Sequence, residues 1–358
     1  MTVLAWPAFE NKTGNPYTRL LYEAVEARGV EVEDFAPGRA LRGGYDLWHL
    51  HWPDDFLSYP SPGTALAYVG AELALMAQAR MRGTRIVWTI HDLGPHESPH
   101  PWLERLFWPL FLPMVDGYVT LSEHARAAAL DRFPRLRSVP GAVVPHGHYR
   151  PAYPPPVSQA TARERWVLPA DAPVIAFLGR IRPYKNVEGL IAAFRGLEAP
   201  EARLLVAGNP SSDALADRIR SAAAPDDRIQ LELRFLPEDE IPSLMGAADL
   251  VVLPYEDILH SGSALLALSF DRPVLVPARG AMGELRREVG DDWVYTYEEP
   301  LRPADLETTL HAARNASRPR RAPLENRSWE RLAKATVSLY DRVLHTDDSS
   351  VISPSRAS

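Results

Sequence analysis

Short runs of consecutive apolar residues alternate along the chain with stretches in which apolar residues recur every three or four positions. The runs predict strands buried on both faces, and the other stretches predict amphipathic helices. In the first half the predicted strands are residues 2–6, 30–35, 47–50, 85–90, 117–120 and 142–144. In the second half they are residues 174–178, 202–207, 229–234, 250–253 and 273–276. This alternation is typical of an α/β protein with two Rossmann-like, doubly wound domains.

A proline-rich stretch that contains Pro151 and Pro154–156 interrupts the alternation and is suited to a linker. We therefore predict a first domain over residues 1–150, a linker over 151–170 and a second domain over 171–326. A closing helix over residues 327–345 and a disordered tail over 346–358 complete the chain. Two such domains facing a cleft would place ligands at the carboxyl ends of their strands.

Composition limits the class of protein. The chain has 358 residues and a net charge of -7, which does not suit a nucleic-acid-binding surface. It contains no cysteine, so it has no disulfide or thiolate chemistry, and this fits a reducing cytoplasm. We find no signal peptide and no apolar run long enough to span a bilayer, and we expect a soluble cytoplasmic protein. The stretch 102–114 predicts a helix packed on its own domain, or else a surface element in peripheral contact with the inner face of the membrane.

The loop after the strand 174–178 carries the first candidate site. Gly179 allows a close approach of the backbone to a ligand, and Arg180 and Lys185 place two cations beside a helix start. Both side chains could equally be ordinary surface charges. The loop after the strand 250–253 also leads from a strand to a helix start, where small residues at 261–263 expose N–H donors. Serine is favoured at helix starts in any protein, but two such loops in one domain favour a diphosphate site.

Several segments together resemble the large retaining glycosyltransferase family of the GT-B fold, which includes glycogen synthase, sucrose synthase and mannosyltransferase relatives. They are Gly179-Arg180 with Lys185, residues 204–209, 236–254 and 271–277, and Ser328-Trp329 with Tyr340. The resemblance implies a GT-B fold, a nucleotide-sugar donor on the second domain, an acceptor on the first, and no metal or other cofactor. It implies donor binding by Gly179, Arg180, Lys185, Asn209, Leu236, Tyr255, Asp257, Ser261, Gly262 and Ser263.

The chain departs from this family at one point. The family usually carries two glutamates eight residues apart that touch the sugar and the ribose, and these positions fall on Ile258 and Leu266. Glu256 or Asp257 could replace the first carboxylate if the loop is shifted. The sequence therefore leaves open whether the anomeric configuration is retained or inverted.

Histidines accompany tryptophan and acidic residues at three predicted strand ends of the first domain. Alternating histidines share one face of a strand, which leaves zinc as an alternative, but sugar binding is the better interpretation. His91 matches a histidine that the resembled family places near the transferred sugar, and it could act as a base in an inverting enzyme. The candidate catalytic residues are His91, Asp92 and Glu256, with Asp54 and Glu97 as rival bases. The candidate acceptor-binding residues are Gly14, Asn15, His51, Trp52, Asp54, Glu97 and His146.

The sequence thus predicts a metal-independent glycosyltransferase, with a role in polysaccharide biosynthesis. It would move a hexosyl group from GDP-mannose or a UDP-hexose to a glycan, a lipid-linked acceptor or a small molecule. Two alternatives remain at this point: a sugar-nucleotide 2-epimerase of the same architecture, and a non-catalytic relative that binds glycans or sugar nucleotides.

Overall fold

A computed structural model describes residues 1–10, 15–95 and 99–345. The chain divides into two compact units, Met1–Gly147 with Arg327–Ser358, and His148–Asn326. Each unit contains one six-stranded sheet in which every strand pairs in parallel with its neighbours. The predicted fold class, two parallel α/β sheets, is confirmed. The predicted tail over residues 346–358 lies outside the described residues.

The first unit has the strand order β2-β1-β3-β4-β5-β6. Its strands are β1 Thr2–Trp6, β2 Glu31–Asp34, β3 Leu47–Leu50, β4 Arg85–Ile90, β5 Gly117–Thr120 and β6 Gly141–Val143. Its first five helices are α1 Tyr17–Glu26, α2 Pro37–Arg42, α3 Pro62–Met81, α4 Pro101–Phe111 and α5 Glu123–Arg132. The order changes direction between β1 and β3, so the loops after these two strands border the switch point where α/β sheets bind ligands.

The second unit has the order β12-β11-β10-β7-β8-β9, which is that of a dinucleotide-binding domain. Its strands are β7 Val174–Leu178, β8 Arg203–Ala207, β9 Ile229–Glu232, β10 Leu250–Val252, β11 Val274–Pro277 and β12 Val294–Tyr297. Its helices are α6 Gln159–Arg165, α7 Val187–Arg195, α8 Asp213–Ala223, α9 Ile241–Ala247, α10 Gly262–Ser269, α11 Met282–Val289 and α12 Pro303–Asn315. The switch point falls between β7 and β10, whose following loops are the two candidate phosphate loops.

The central strands are buried along their whole length, which explains why their sequences are apolar without alternation. Every residue of β7 and of β10 is buried. Helices cover both faces of a doubly wound sheet, so a polar side chain on either face of these strands would lose its water. Because of this burial, the bounds of these central strands could be predicted from the sequence to within one or two residues.

Helix α6 lies inside the stretch 151–170 that the prolines predicted to be a linker. Ser158 caps its start by accepting a hydrogen bond from the backbone N–H of Thr161, and the helix packs on α9. The buried Arg163 forms a 2.9 Å ion pair with Asp249, which also accepts from the backbone N–H of Val174. Residues 159–165 are therefore a helix of the second unit, and the linker prediction is wrong for them.

The last described helix, α13 Trp329–Leu344, belongs to the first unit and packs on α1, β5 and β6. Its buried face carries Leu332, Leu339 and Tyr340, which places the Tyr340 side chain in the interior of that unit. Among the described residues, no helix is long and apolar enough to cross a membrane.

Candidate donor and acceptor sites

Two glycines shape the backbone at the end of β7. Gly179 has a φ of +155°, and Gly208, which follows β8, has a φ of +149°. A Cβ on Gly208 would lie 1.8 Å from the carbonyl oxygen of Gly179, so no side chain fits there. The two strand ends therefore approach each other closely, which requires glycine at both positions.

Three polar side chains converge on Gly179 from three different segments. A Cβ placed on Gly179 would lie 3.2 Å from Ser263 Oγ, 3.3 Å from Lys185 Nζ and 3.8 Å from the Tyr255 hydroxyl. Lys185 also lies 5.0 Å above the centre of the Tyr255 ring. We call these three side chains and Gly179 the phosphate cradle. The sequence predicted all four residues, and the fold brings them together.

The Tyr255 hydroxyl has an unusual environment. It is buried, and among the described residues it has no hydrogen-bond partner. An unsatisfied buried hydroxyl costs roughly 1–3 kcal/mol, so such groups are normally paired. An anion in the phosphate cradle would accept this hydrogen bond and would neutralise the nearby Lys185 ammonium.

The start of α10 supplies backbone donors beside the cradle. Ser261 caps the helix, because its Oγ accepts a hydrogen bond from the backbone N–H of Ala264 at 3.0 Å. Gly262 and Ser263 follow in the first turn, where the free N–H groups and the helix dipole favour an anion. The capping interaction and the anion site coexist here, since Ser263, not Ser261, points to Gly179.

The remaining donor candidates lie at varied positions of the second unit. Arg180 and Asn209 are exposed, and the Asn209 carbonyl accepts from the backbone N–H of Ile181. Leu236 is buried, whereas Glu256 and Asp257 are exposed. The backbone N–H of Glu256 donates to the Tyr184 carbonyl, which ties the loop after β10 to the loop after β7.

The positions of the missing glutamates are apolar in structure as well as in sequence. Ile258 is buried, and Leu266 is half-buried on α10. Neither side chain can accept a hydrogen bond from a hydroxyl. The exposed Glu256 lies two residues before Ile258 and is the carboxylate that this loop offers instead.

In the first unit, Tyr17 stands at the centre of the histidine cluster. Its ring lies 5.9 Å from His51, 5.3 Å from His91 and 4.6 Å from His146, measured between ring centres. Trp329 of α13 contacts the same ring at 5.6 Å. The carboxyl ends of β3, β4 and β6 thus bring together histidines from all three predicted motifs.

His91 contacts Trp52 on one face and His51 at its ring edge. Its ring stacks on Trp52 with the centres 4.3 Å apart, and its Nε2 lies 3.0 Å from Nδ1 of the buried His51. Half-buried aromatic rings with a polar edge are suited to binding one face and the hydroxyls of a sugar. Sequence reasoning found His51, Trp52, His91 and His146 but missed Tyr17, whose position in an amphipathic helix gave no signal beyond burial.

A carboxyl group, that of Asp54, accompanies this cluster. Burial, followed by the neighbouring charges of Asp55, Asp92 and Glu104, raises the pKa of Asp54 to about 7. Asn15 precedes α1, and its Oδ1 accepts from the backbone N–H of Tyr17 at 3.1 Å. Gly14 and Glu97, also predicted to contribute, lie outside the described residues. Within the described ranges, no group of three or more histidine, aspartate or glutamate residues could hold a metal ion.

Comparisons with known proteins agree with this architecture. The family model described as "Glycosyl transferases group 1" matches residues 158–294. The GDP-mannose:glycolipid 4-beta-D-mannosyltransferase of Xanthomonas campestris pv. campestris is 32% identical over 352 residues, which are 98% of this chain and 95% of that relative.

Two solved structures show the same fold at low sequence identity. Sucrose-phosphate synthase from Thermosynechococcus elongatus has a TM-score of 0.70 at 17% identity, covering 97% of this chain and 100% of that one. Anabaena HepE in complex with UDP-glucose has a TM-score of 0.66 at 17% identity, covering 98% and 100%.

Fold, site and full-length similarity define a nucleotide-sugar glycosyltransferase with the GT-B fold. The predicted transferase function is thereby confirmed. The chain belongs to the glycosyl transferases group 1 family.

Proposed function

We propose that this enzyme transfers a mannosyl group from GDP-mannose to a lipid-linked glycan, with a UDP-hexose as the rival donor. The similarity to a GDP-mannose:glycolipid mannosyltransferase over almost the whole chain supports this donor and this acceptor. The observation that carries the proposal is the phosphate cradle, in which one ammonium and two hydroxyls meet at a glycine. The second unit would bind the donor, and the histidine cluster of the first unit would bind the acceptor.

The cradle explains how the leaving group would be stabilised without a metal. As the glycosidic bond breaks, negative charge develops on the diphosphate oxygen, and preorganised donors aimed at that oxygen are the strongest catalytic effect available. Lys185 supplies a positive charge, while Tyr255 and Ser263 supply hydrogen bonds. Arg180 is exposed beside Gly179 and would bind the second phosphate.

The stereochemical outcome that the residues favour is inversion. Ile258 and Leu266 occupy the positions of the two glutamates of the resembled retaining family, so these contacts to sugar and ribose are missing. An inverting transfer requires a base for the acceptor hydroxyl, and His91 is a half-buried imidazole of the cluster that stacks on Trp52. Asp54 and Asp92 are the alternative bases, and Glu256 is the carboxylate nearest to the donor loop. An NMR assignment of the product's anomeric configuration, with a donor of known configuration, tests this.

The first experiment removes the ammonium of the cradle. Lys185→Ala should lower kcat with GDP-mannose by on the order of 100-fold, since one lost electrostatic contact at a leaving group has this magnitude. The exposed Lys334→Ala on α13 is the matched control and should keep the wild-type rate. Wild-type activity should also persist in EDTA. Wild-type turnover by Lys185→Ala with every sugar nucleotide would refute the proposed donor site.

A lipid-linked acceptor requires the enzyme to reach a membrane, and α4 offers a surface for this. Trp102, Leu106 and Leu110 are spaced four residues apart and are 50%, 46% and 49% exposed, so they form one stripe on the helix. The opposite face of α4 is buried in the core through Leu103 and Phe107. We call Trp102, Leu106 and Leu110 the α4 stripe. Each face of α4 thus suits one of the two sequence-based interpretations of this stretch.

Positive charges border the α4 stripe. Arg105 is exposed on the same helix, and the turn after α4 contacts the turn 134–138, which carries the exposed Arg135 and Arg137. Tryptophan and leucine flanked by arginine are typical of helices that lie in the headgroup region of anionic membranes. We propose that the α4 stripe rests on an anionic bilayer that contains the acceptor, which vesicle flotation of stripe variants would test.

A further inference from the structure

A chain of adjacent polar side chains runs through the interior of the first unit and ends at His91. All of its members except His91 are at most 1% exposed. From the interior outwards, this buried relay consists of Thr89, His49, Tyr340, Tyr22, His51 and His91.

The links of the buried relay are short. His49 lies 2.7 Å from Thr89 Oγ1 through its Nε2 and 2.6 Å from the Tyr340 hydroxyl through its Nδ1. The Tyr340 and Tyr22 hydroxyls lie beside each other, close enough for each to shift the pKa of the other. Tyr22 lies 2.7 Å from Nε2 of His51, whose Nδ1 lies 3.0 Å from Nε2 of His91.

The two inner histidines are neutral at physiological pH. Burial lowers the pKa of His49 to about 3. Burial, with smaller contributions from His49 and His91, lowers the pKa of His51 well below its ordinary value. A neutral imidazole carries one N–H and one lone pair, so each of these rings donates on one side and accepts on the other.

This constraint couples the orientation of all the hydrogen bonds. In one polarity, every group donates inwards, from His91 Nε2–H to the lone pair of His51 Nδ1 and on towards Thr89. In the other polarity, every group donates outwards, and His91 Nε2 accepts from His51. A neutral His91 then carries its proton on Nδ1 and cannot accept a second proton there. Only the inward polarity leaves a lone pair on His91 Nδ1.

We propose that His51, held by Tyr22 and the rest of the buried relay, is a positioning residue that keeps His91 in the Nε2–H tautomer. The inference rests on the proposed function, in which His91 is the base. Because Nε2 is engaged by His51, proton exchange with a substrate goes through Nδ1. His51 then has the role that a carboxylate has in a catalytic triad, but as a neutral group.

The proton balance of the step is simple. The acceptor O–H bond breaks and its proton forms an N–H bond at His91 Nδ1, while the oxygen bonds to the anomeric carbon. The bond from that carbon to the diphosphate oxygen breaks, and the electron pair leaves with the diphosphate. His91 becomes an imidazolium that still donates from Nε2 to His51, and it later releases the Nδ1 proton to water.

Titratable groups from several elements surround His51 and His91. They are Tyr17 and Tyr22 of α1, His49 of β3, Asp54, Asp92, His146 and Tyr340 of α13. Tyr17, Tyr22 and Tyr340 have a raised pKa because they are buried, so they remain neutral hydroxyls.

The decisive variant is Tyr22→Phe, which keeps the ring but removes the acceptor of His51 Nε2–H. An unpaired buried N–H is less tolerable than an unpaired lone pair, so His51 should change to the Nδ1–H tautomer. His91 would then have to accept at Nε2. Two-dimensional ¹H–¹⁵N spectra of histidine-labelled protein should show both tautomers reversed relative to the wild type.

Kinetics provide the second measurement. Tyr22→Phe should lower kcat by about 10- to 100-fold, a typical range for impaired general-base catalysis, with little change in KM for the donor. Tyr340→Phe breaks the next link and should have a smaller effect of the same kind. Tyr118→Phe removes another buried hydroxyl of the same unit, one that lies beside Arg126, and should leave kcat and both tautomers unchanged.

The outcomes separate the relay from the proposed base. Unchanged tautomers and wild-type kcat in both relay variants, with an inactive His91→Ala, would overturn the relay and leave His91 as the base. A wild-type rate for His91→Ala would overturn the base itself. If Tyr22→Phe does not fold, Tyr340→Phe and the isosteric Thr89→Val give the same comparison.

Discussion

At the residue scale, the first unit contains a carboxyl group where an apolar side chain would be expected. Glu72 lies on the buried face of α3 with Val69 and Met76. Both of its carboxylate oxygens are buried and lack a hydrogen-bond partner among the described residues, as does the indole nitrogen of Trp48. Burial, followed by the charges of Asp54 and Asp55, raises the pKa of Glu72 well above its ordinary value. The folded protein therefore holds a proton there that the unfolded chain releases.

This makes stability depend on pH in a defined direction. Between the ordinary pKa of glutamate and the raised pKa of Glu72, the folded state binds more protons, so this group destabilises the protein as pH rises. We predict that Glu72→Gln is more stable than the wild type at pH 8, by about 1.4 kcal/mol for each unit of pKa shift it removes. The difference should shrink towards pH 4.5.

Urea denaturation of both proteins across this pH range measures the difference. The buried His49 and His51 destabilise both proteins equally at low pH. The difference between the two stability curves therefore does not contain their contribution. Glu26→Gln on the exposed face of α1 is the control and should leave stability nearly unchanged. A constant difference between Glu72→Gln and the wild type at all pH values would contradict a proton held at Glu72.

At the scale of elements, the sequence predicted what depends on local pattern. The strands other than β12 were predicted because parallel strands are apolar runs, and the site loops were predicted because they follow β7, β10, β3 and β4. Strand β12 was missed because its middle residues, Tyr295 and Thr296, are only half-buried and do not form an apolar run. Helix α6 was missed because the prolines just before it dominate the composition of that stretch. The buried relay was not predictable, because Tyr22 and Tyr340 meet only when α13 packs on α1.

The α4 stripe yields a prediction at this scale. Replacing Trp102, Leu106 and Leu110 by serine should weaken partition into anionic vesicles by about tenfold for each residue, because each apolar side chain withdrawn from water contributes on the order of 1.5 kcal/mol. Vesicle flotation measures the partition. Leu41→Ser, an exposed apolar residue of the same unit on α2, should not change it.

The stripe variant should retain turnover on a water-soluble acceptor analogue, since the stripe is on the exposed face of α4. Equal flotation of the triple variant and the wild type would refute the bilayer as partner. If the triple variant no longer self-associates but still floats with vesicles, the partner of the α4 stripe is a second copy of the chain.

At the scale of the whole molecule, each sheet places its candidate residues at the end where its strands terminate. The second unit offers Lys185, Tyr255 and Ser263 to an anion, and the first unit offers aromatic and imidazole groups to a sugar. The sequence predicted this division because Gly179 and Lys185 lie in a recognisable loop. The sequence did not identify the nucleobase of the donor or the acceptor, since their recognition depends on contacts from several segments of the chain.

The function proposed above depends on the binding of a sugar-nucleotide diphosphate in the phosphate cradle. Its most direct test is the thermal shift of the wild type and of Lys185→Ala with GDP-mannose and UDP-glucose, because a ligand that binds only the folded state raises the melting temperature. We predict a shift for the wild type and for Lys334→Ala with at least one donor, and its loss in Lys185→Ala. An equal shift in all three proteins would show that the donor binds elsewhere.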